Sequence, residues 1–429
     1  MHVALLTAGS RGDVQPYVAL GAGLAAAGHG VRLVTHRVFE RSAQAHGLDF
    51  AGIGGDPREA VESDIGQSWL GSGENPAKFV IGMAKIMRPL MADAVRDALA
   101  ACRDTDLILF SPLGWLAAHH VAEKLRLPLA GAYLQPFTPT RSFPPPFARS
   151  GWSLGALHNR FAYLVGEHLF WWLFRRSANA ARRDILGLSP MPLRAPFPAL
   201  RARSRLMLYG FSPSVLAPPE DWPASAHVTG YWFLDDANGW EPPEDLVRFL
   251  ADGRPPVYVG FGSMHARSAH AVTRLVLEAL DRAGQRGILL TGWGALTDEA
   301  VPDSVYALEH VPHDWLFPRV AAVVHHCGAG TTGAGLRAGV PTVPVPFFAD
   351  QPFWARCLGD VGVATKPVPF KRLTTKRLAT AIERAVGDDR LHERAAAVGR
   401  TVRAEDGVGR AVELIEREFG RGGMRTAEG

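Results

Sequence analysis

Apolar residues fall along this chain in short unbroken runs, separated by longer stretches where they recur at helical spacing. "HVALLT" (2–7) precedes a helical pattern over 16–27, then Gly28 and the run "VRLVTH" (31–36). "DLILF" (106–110) and "LPLAGAY" (127–133) bracket the helical "WLAAHHVAEKL" (115–125). The second half repeats the theme. "PVYVGFGS" (256–263) leads into a helical pattern over 269–283, and "GILLTG", "VYALEHV", "VAAVVHHCG" and "PTVPVP" read as further strands. Unbroken apolar strands alternating with helices predict parallel sheets covered on both faces and joined by right-handed crossovers.

The expected class is therefore α/β, with two Rossmann-like domains facing a cleft. A chain of 429 residues suits two such cores better than one. The boundaries read as an N-terminal domain at 1–232, a linker at 233–246 rich in Asp, Asn, Gly and Pro, and a second domain at 247–404. A last helix over 405–420 is expected to cross back to the first domain, and 421–429 is a polar tail.

One segment departs from the alternation. Residues 135–183 open with prolines and continue as an aromatic-rich helical region with arginines at 149, 160, 175, 176, 182 and 183. Packing into the first domain is one reading. A wall for an apolar acceptor is the other, built from Tyr133, Phe137, Phe143, Phe147, Trp152, Phe170 and Trp171, with peripheral membrane contact as an extension. "LFWWLF" (169–174) is too short and too closely flanked by charge to span a bilayer.

Composition narrows the class further. Charged residues are 21% and the net charge is +4, too little for a default nucleic-acid partner. Three scattered cysteines imply no disulfide framework, and with no leader-like N-terminus a cytoplasmic location is expected. The oligomeric expectation is a monomer or weak dimer.

Three loops at strand ends carry chemistry. In "TAGSRGDVQP" (7–16), Ser10 and Arg11 suit a phosphate, while Asp13 reads as a helix cap or as a general base facing a hydroxyl. In "VGFGSM" (259–264), Gly260 and Gly262 let amides approach a diphosphate and Ser263 adds a hydroxyl. In "VVHHCGAGTTGAG" a strand meets a glycine turn and a helix, with Thr331 and Thr332 near its start, as an anion site should be built. Adjacent His325 and His326 point to opposite sides of a strand end, and no second His/Cys cluster exists at ligand spacing. A metal is not expected.

"GSRGDVQPYVALGAGLAAAGH", "GFGS" and "HVPHDWLFPRVAAVVHHCGAGTTGAGLRAGVPTVPVPFFADQPFWA" together resemble the GT-B nucleotide-sugar glycosyltransferases. The similarity is to the sterol glucosyltransferase-like and glycopeptide or macrolide branch. The resemblance implies His326, Gly328, Gly330, Thr331 and Thr332 at the donor diphosphate, and Cys327 departs from the family's "HHGGAGTT". It implies Asp350 and Gln351 on the sugar hydroxyls, and Val311 with His310 or Trp315 at the nucleobase, Trp315 being equally a core residue. It raises Asp13 to the base, and His119 and His120 stay structural.

The implied reaction is inverting transfer of a hexose, glucose first, from a UDP-sugar (a dTDP-sugar is the second donor) to a sterol, triterpenoid or polyketide hydroxyl. No cofactor beyond this co-substrate and no metal are expected. A nucleotide-sugar epimerase and a non-catalytic transferase partner are the alternatives.

Overall fold

Every strand pairing in both sheets is parallel, as unbroken apolar strands joined through helices require. The structure, a computed structural model, describes residues 1–56, 59, 66, 76–148, 155–235, 240–262, 269–291 and 301–420. Contacts divide the chain into two units. Residues 1–69, 76–234 and 406–429 form the first, and 70–75 and 235–405 the second.

In the first unit, β1 (His2–Leu6) leads into α1 (Arg11–Ala26), β2 (Gly30–His36) and β3 (Asp49–Ile53). There follow α2 (Pro76–Ala101), β4 (Leu107–Phe110), α3 (Trp115–Leu125), β5 (Leu129–Tyr133), α4 (Ala156–Ala181), β6 (Met207–Tyr209) and β7 (Ala226–Val228). The sheet order is β3-β2-β1-β4-β5-β6-β7, so the direction of winding reverses between β1 and β4. There Leu5 lies between Leu33 and Leu109, all fully buried, which ties three strands into one hydrophobic layer. On the other face of the same strands, Ala4, Leu6, Val34, Ile108 and Phe110 form a core that Trp115, Trp171, Phe174 and the buried face of α2 close.

The second unit runs α5 (Glu244–Ala251), β8 (Val257–Gly260), α6 (Ala269–Arg282), β9 (Gly287–Leu290), β10 (Val305–Leu308), β11 (Ala322–His325), α7 (Ala329–Ala338) and β12 (Thr342–Pro344). Helices α8 (Gln351–Val361), α9 (Thr375–Gly387) and α10 (Asp389–Ala404) complete it. Its sheet order is β10-β9-β8-β11-β12, reversing between β8 and β11. Of the linker expected at 233–246, the last three residues are the first turn of α5, whose Leu246 is buried against Tyr258 and Phe317.

A last helix, α11 (Gly407–Phe419), belongs to the first unit and packs on α1. Asp406 caps it by accepting from the Gly409 amide at 2.8 Å. The contact is close because Gly23 of α1 has no side chain: a Cβ there would lie 2.2 Å from Val408 Cγ1.

Helix α1 starts five residues before the expected position 16. Pro16 reads as a natural first helical residue, but Ser10 and Asp13 form a capped turn ahead of it. Pro16 then forfeits only its own backbone bond within the helix. The consequence is that Asp13 sits in the first helical turn rather than in a loop.

Candidate active site

Parallel α/β sheets bind ligands beyond the carboxyl ends of the strands, where the winding reverses. Both reversal points here carry the residues that the sequence singles out.

At β1/β4 the turn after β1 delivers Asp13. Its Oδ2 accepts from the Ser10 amide and from the Ser10 hydroxyl, each at 2.9 Å. Gly9 has φ 126°, and a Cβ on it would collide with the Asp13 carboxylate at 2.6 Å, so glycine is required for that carboxylate to lie where it does. Burial raises the Asp13 pKa from the usual aspartate value, and the two Ser10 hydrogen bonds pull it partly back. A carboxylate held by one oxygen, half-buried and made more basic by desolvation, has the properties of a general base. Ser10, expected at a phosphate, thus has Asp13 as its partner, and Arg11 beside it is exposed.

Next to Asp13 the interior becomes aromatic. Tyr17 donates to the Ala132 carbonyl at 2.6 Å and lies in the field of both Asp13 and Tyr133. From Tyr133 the rings continue to Phe110 at 5.8 Å, Phe137 at 5.8 Å, on to Phe147 at 5.4 Å, and then Phe79 at 5.5 Å. Tyr133, Phe137, Phe143 and Phe147 are half-buried, so one side of each remains accessible. Phe79 and Phe110 are themselves buried and back these half-buried rings as core residues of their own elements.

Trp171 requires a correction. It is fully buried in the core, with its indole N–H donating to the Pro192 carbonyl at 3.0 Å, and cannot line an acceptor site. The helix turns it inward and leaves Trp172 outside, 64% exposed. Phe170 is half-buried against Trp115, Phe174 and Phe197 and extends that same core. Trp152 lies outside the described residues. His119 stacks on Trp115, and His120 receives the Arg182 guanidinium at 3.1 Å, so both are structural.

At β8/β11 three strand ends converge. Register places His325 beside Gly260, and the Val345 amide donates to the His325 carbonyl at 2.9 Å. His325 is fully buried, and its Nδ1 accepts from the Cys327 amide at 3.0 Å. Cys327 takes the left-handed conformation, φ 66°, where glycine is the easy residue. The buried thiol is pushed up by desolvation and by the nearby Asp350 charge, so it is inert.

That turn aims His326 between two glycines. A Cβ on Gly262, itself at φ 63°, would meet the ring Cε1 at 2.9 Å, and one on Gly328 would meet Nε2 at 2.5 Å. Burial lowers the His326 pKa to about 4, so the ring is neutral at physiological pH. Its Nδ1 is buried with no hydrogen-bond partner. A buried lone pair without a donor costs less than a buried N–H without an acceptor, which places the proton on Nε2 at the glycine pair. Beside it Gly328 caps α7, leaving the amides of Ala329, Gly330 and Thr331 at the positive helix end. Gly330 is exposed with nothing within 4 Å of a Cβ, whereas Thr332, two residues on, is buried. The arrangement can hold an anion through backbone amides and one neutral imidazole N–H. Ser263 lies outside the described residues.

After β12 the chain reverses at Ala349, φ 57°, and delivers Asp350 and Gln351. Gln351 is buried and its Oε1 accepts from the Phe347 amide at 2.8 Å and the Phe348 amide at 3.3 Å. The glutamine carbonyl therefore shapes its own loop. Asp350 caps α8, and its Oδ2 accepts from the Trp354 indole at 3.1 Å. Trp354 was missed. Its sequence signal is its place four residues after Asp350 on a helix, where the side chains meet.

The expected nucleobase residues follow β10. Val311 is buried and His310 exposed. Trp315 has neighbours of its own, Trp240 edge-on at 5.1 Å and the Arg319 guanidinium over its ring at 4.5 Å, which is a packing role. Among the described residues no three His, Cys, Asp or Glu side chains come together as a metal site.

Residues 3–144 match the glycosyltransferase family 28 N-terminal domain, and residues 288–408 match the erythromycin biosynthesis protein CIII-like C-terminal domain. The chain is 38% identical to a sterol 3-beta-glucosyltransferase of Aspergillus terreus over 98% of its own length and 30% of that protein. It thus spans about a third of the curated relatives it matches. Its fold is shared with the glycotransferase of kitacinnamycin (TM-score 0.73, 20% identity, 97% and 98% of the two chains). It is shared also with a Streptomyces glycosyltransferase, SsfS6, complexed with thymidine diphosphate (TM-score 0.62, 20% identity, 97% and 99%).

Proposed function

The chain belongs to the GT-B glycosyltransferases, and from that premise we propose that it transfers a hexose, with inversion, from a nucleoside diphosphate sugar to a hydroxyl of an apolar polycyclic acceptor. UDP-glucose and a sterol are the first pair to test, since sterol 3-beta-glucosyltransferases match over 98% of this chain. The observation that carries the reading is the cradle in which His326 lies between Gly262 and Gly328 at the open end of α7.

In the proposed reaction Asp13 takes the proton of the acceptor hydroxyl while that oxygen attacks the anomeric carbon. The new C–O bond forms as the bond from that carbon to the diphosphate breaks, and the electron pair leaves with the diphosphate. Amides of Gly330 and Thr331 with His326 Nε2–H meet the growing charge, an electrostatic role that asks for no metal ion. Asp350, positioned by the Trp354 indole, and Gln351, positioned by its own loop amides, meet the sugar hydroxyls in this reading. The half-buried rings of Tyr133, Phe137 and Phe147 offer apolar surface for the acceptor, which an epimerase acting on the donor alone would not need.

Purified protein is to be offered UDP-glucose and dTDP-glucose against a panel of sterol, flavonoid and macrolide acceptors, with products read by mass spectrometry and chelator present. Glucosylated sterol formed under chelation is the expected result. Hydrolysis or epimerisation of the donor with no acceptor product would overturn the proposal.

A further inference from the structure

Helix α4 carries an apolar stripe that the proposed transfer does not use. Leu157, Phe161, Val165 and Trp172 are 76%, 63%, 48% and 64% exposed. At this spacing they lie on one side of the helix, over about 22 Å at 1.5 Å per residue. The opposite side holds Tyr163, Trp171, Phe174 and Ala178, all buried, so the helix packs on its unit without the stripe. Isolated exposed apolar residues are ordinary, but four aligned ones including Phe and Trp mark an interaction surface.

The charge beside the stripe selects the partner. Arg160 and Arg176 are exposed and Arg175 is half-buried. Arg160 lies in the field of Asp221, whereas Glu167, the only acidic residue of α4, is paired with Arg201 and offsets neither Arg175 nor Arg176. The face is therefore apolar with a cationic border. A second copy of the chain would set arginine against arginine, whereas an anionic surface complements it. No described helix is long and apolar enough to cross a membrane, which leaves contact parallel to the surface.

We propose that this face of α4 docks on an anionic lipid bilayer, with Phe161 and Trp172 inserted at the headgroup boundary and Arg175 and Arg176 against lipid phosphates. The proposal stands apart from the sugar-transfer reading, and its test contains no nucleotide sugar.

The full chain is to be co-sedimented with vesicles of phosphatidylcholine alone and of phosphatidylcholine mixed with phosphatidylglycerol, at low and high salt. Binding is expected on the anionic vesicles and should weaken with salt. Phe161→Glu/Trp172→Glu should lose at least about tenfold in vesicle affinity, since each residue gives up buried apolar area and gains a repelled charge. Arg175→Gln/Arg176→Gln should lose roughly fivefold per arginine on anionic vesicles only. Both variants change accessible side chains, so an unchanged far-ultraviolet circular dichroism spectrum is the check that they fold. Equal binding by wild type and the Phe161/Trp172 variant would overturn the proposal. So would wild type that binds neither vesicle but forms a dimer which that variant dissociates.

Discussion

Asp13 is the residue on which the proposed chemistry turns, and its two attachments make opposite demands. Desolvation raises its pKa, so in the folded protein the charged form is the disfavoured one. A carboxyl raised in the folded state contributes stability at low pH that is lost as pH rises through its folded value. Asp13→Asn removes that charge while an amide oxygen still accepts from Ser10. Transfer should fall by roughly 100- to 10,000-fold with donor binding unchanged, and the thermal midpoint should hold or rise. Near-wild-type turnover would remove the base assignment. His326 has the other sign. Its folded pKa is about 4 against an ordinary 6.5, so below 6.5 the unfolded chain takes up a proton that the folded ring refuses, and stability is lost as pH falls toward 4. His326→Gln should therefore show a smaller drop in thermal midpoint between pH 7 and pH 5 than wild type, along with weakened donor binding. Equal drops would mean that His326 is not the buried neutral ring described. Trp354→Phe keeps most of the buried ring but deletes the N–H that fixes Asp350. Discrimination between UDP-glucose and UDP-galactose should fall several-fold, by the size of one hydrogen bond to a charged group, with little change in thermal midpoint. An unaltered ratio would leave Trp354 with packing alone.

Among elements, nine strands were readable because a strand buried on both faces must be apolar throughout, whereas β3 and β7, only partly buried, and the three-residue β6 were not read. "LILF" and "VYVG" are wholly buried, as their runs require. What could not be read were contacts made by groups whose type gives nothing away. The capped turn that moved the start of α1 depends on where the Asp13 side chain reaches, and Trp171 and Trp172 differ only by a helical rotation of about 100°. The donor loops were legible as glycine, histidine and hydroxyl text, yet Gln351 turned out to brace its loop through backbone amides. Cys327 shows the same limit, since a cysteine in place of glycine says nothing of φ until the turn is seen. At φ 66° the side chain costs about 1 kcal/mol or somewhat more in backbone strain, which the buried thiol's packing offsets. Cys327→Gly should accordingly change unfolding free energy by no more than about 1 kcal/mol and keep donor binding. Cys327→Val, branched at Cβ in a conformation that such residues avoid, should cost about 2 to 3 kcal/mol. A valine variant as stable as wild type would mean that the turn is not left-handed.

For the whole molecule, the last helix decides how the first unit is completed. Helix α11 buries Ala411, Leu414, Ile415 and Phe419, and its outer edge is tied by Arg205 to Glu418 at 2.5 Å and His29 to Glu416 at 3.1 Å. An accessible ion pair such as Arg205–Glu418 and a single side-chain hydrogen bond such as His29–Glu416 contribute little, so the apolar seam must carry the attachment. The seam depends on one missing side chain. A Cβ on Gly23 would lie 2.2 Å from Val408 Cγ1 but 3.8 Å from Val408 Cβ, so only the valine's methyl stands in the way. Gly23→Ala should force α11 off α1 at a cost of about 1 to 3 kcal/mol. Hydrogen exchange should rise selectively in 407–419 and proteolysis should increase near residue 405. Val408→Ala alone should cost less, since it deletes methyl groups from a half-buried residue. Combined with Gly23→Ala it should restore protection, because the remaining Cβ is at ordinary contact distance. The two changes must then be strongly non-additive, with the double variant more stable than Gly23→Ala alone. Additive effects would show that the helix is held by something other than this seam, and that its place on the first unit owes nothing to the glycine.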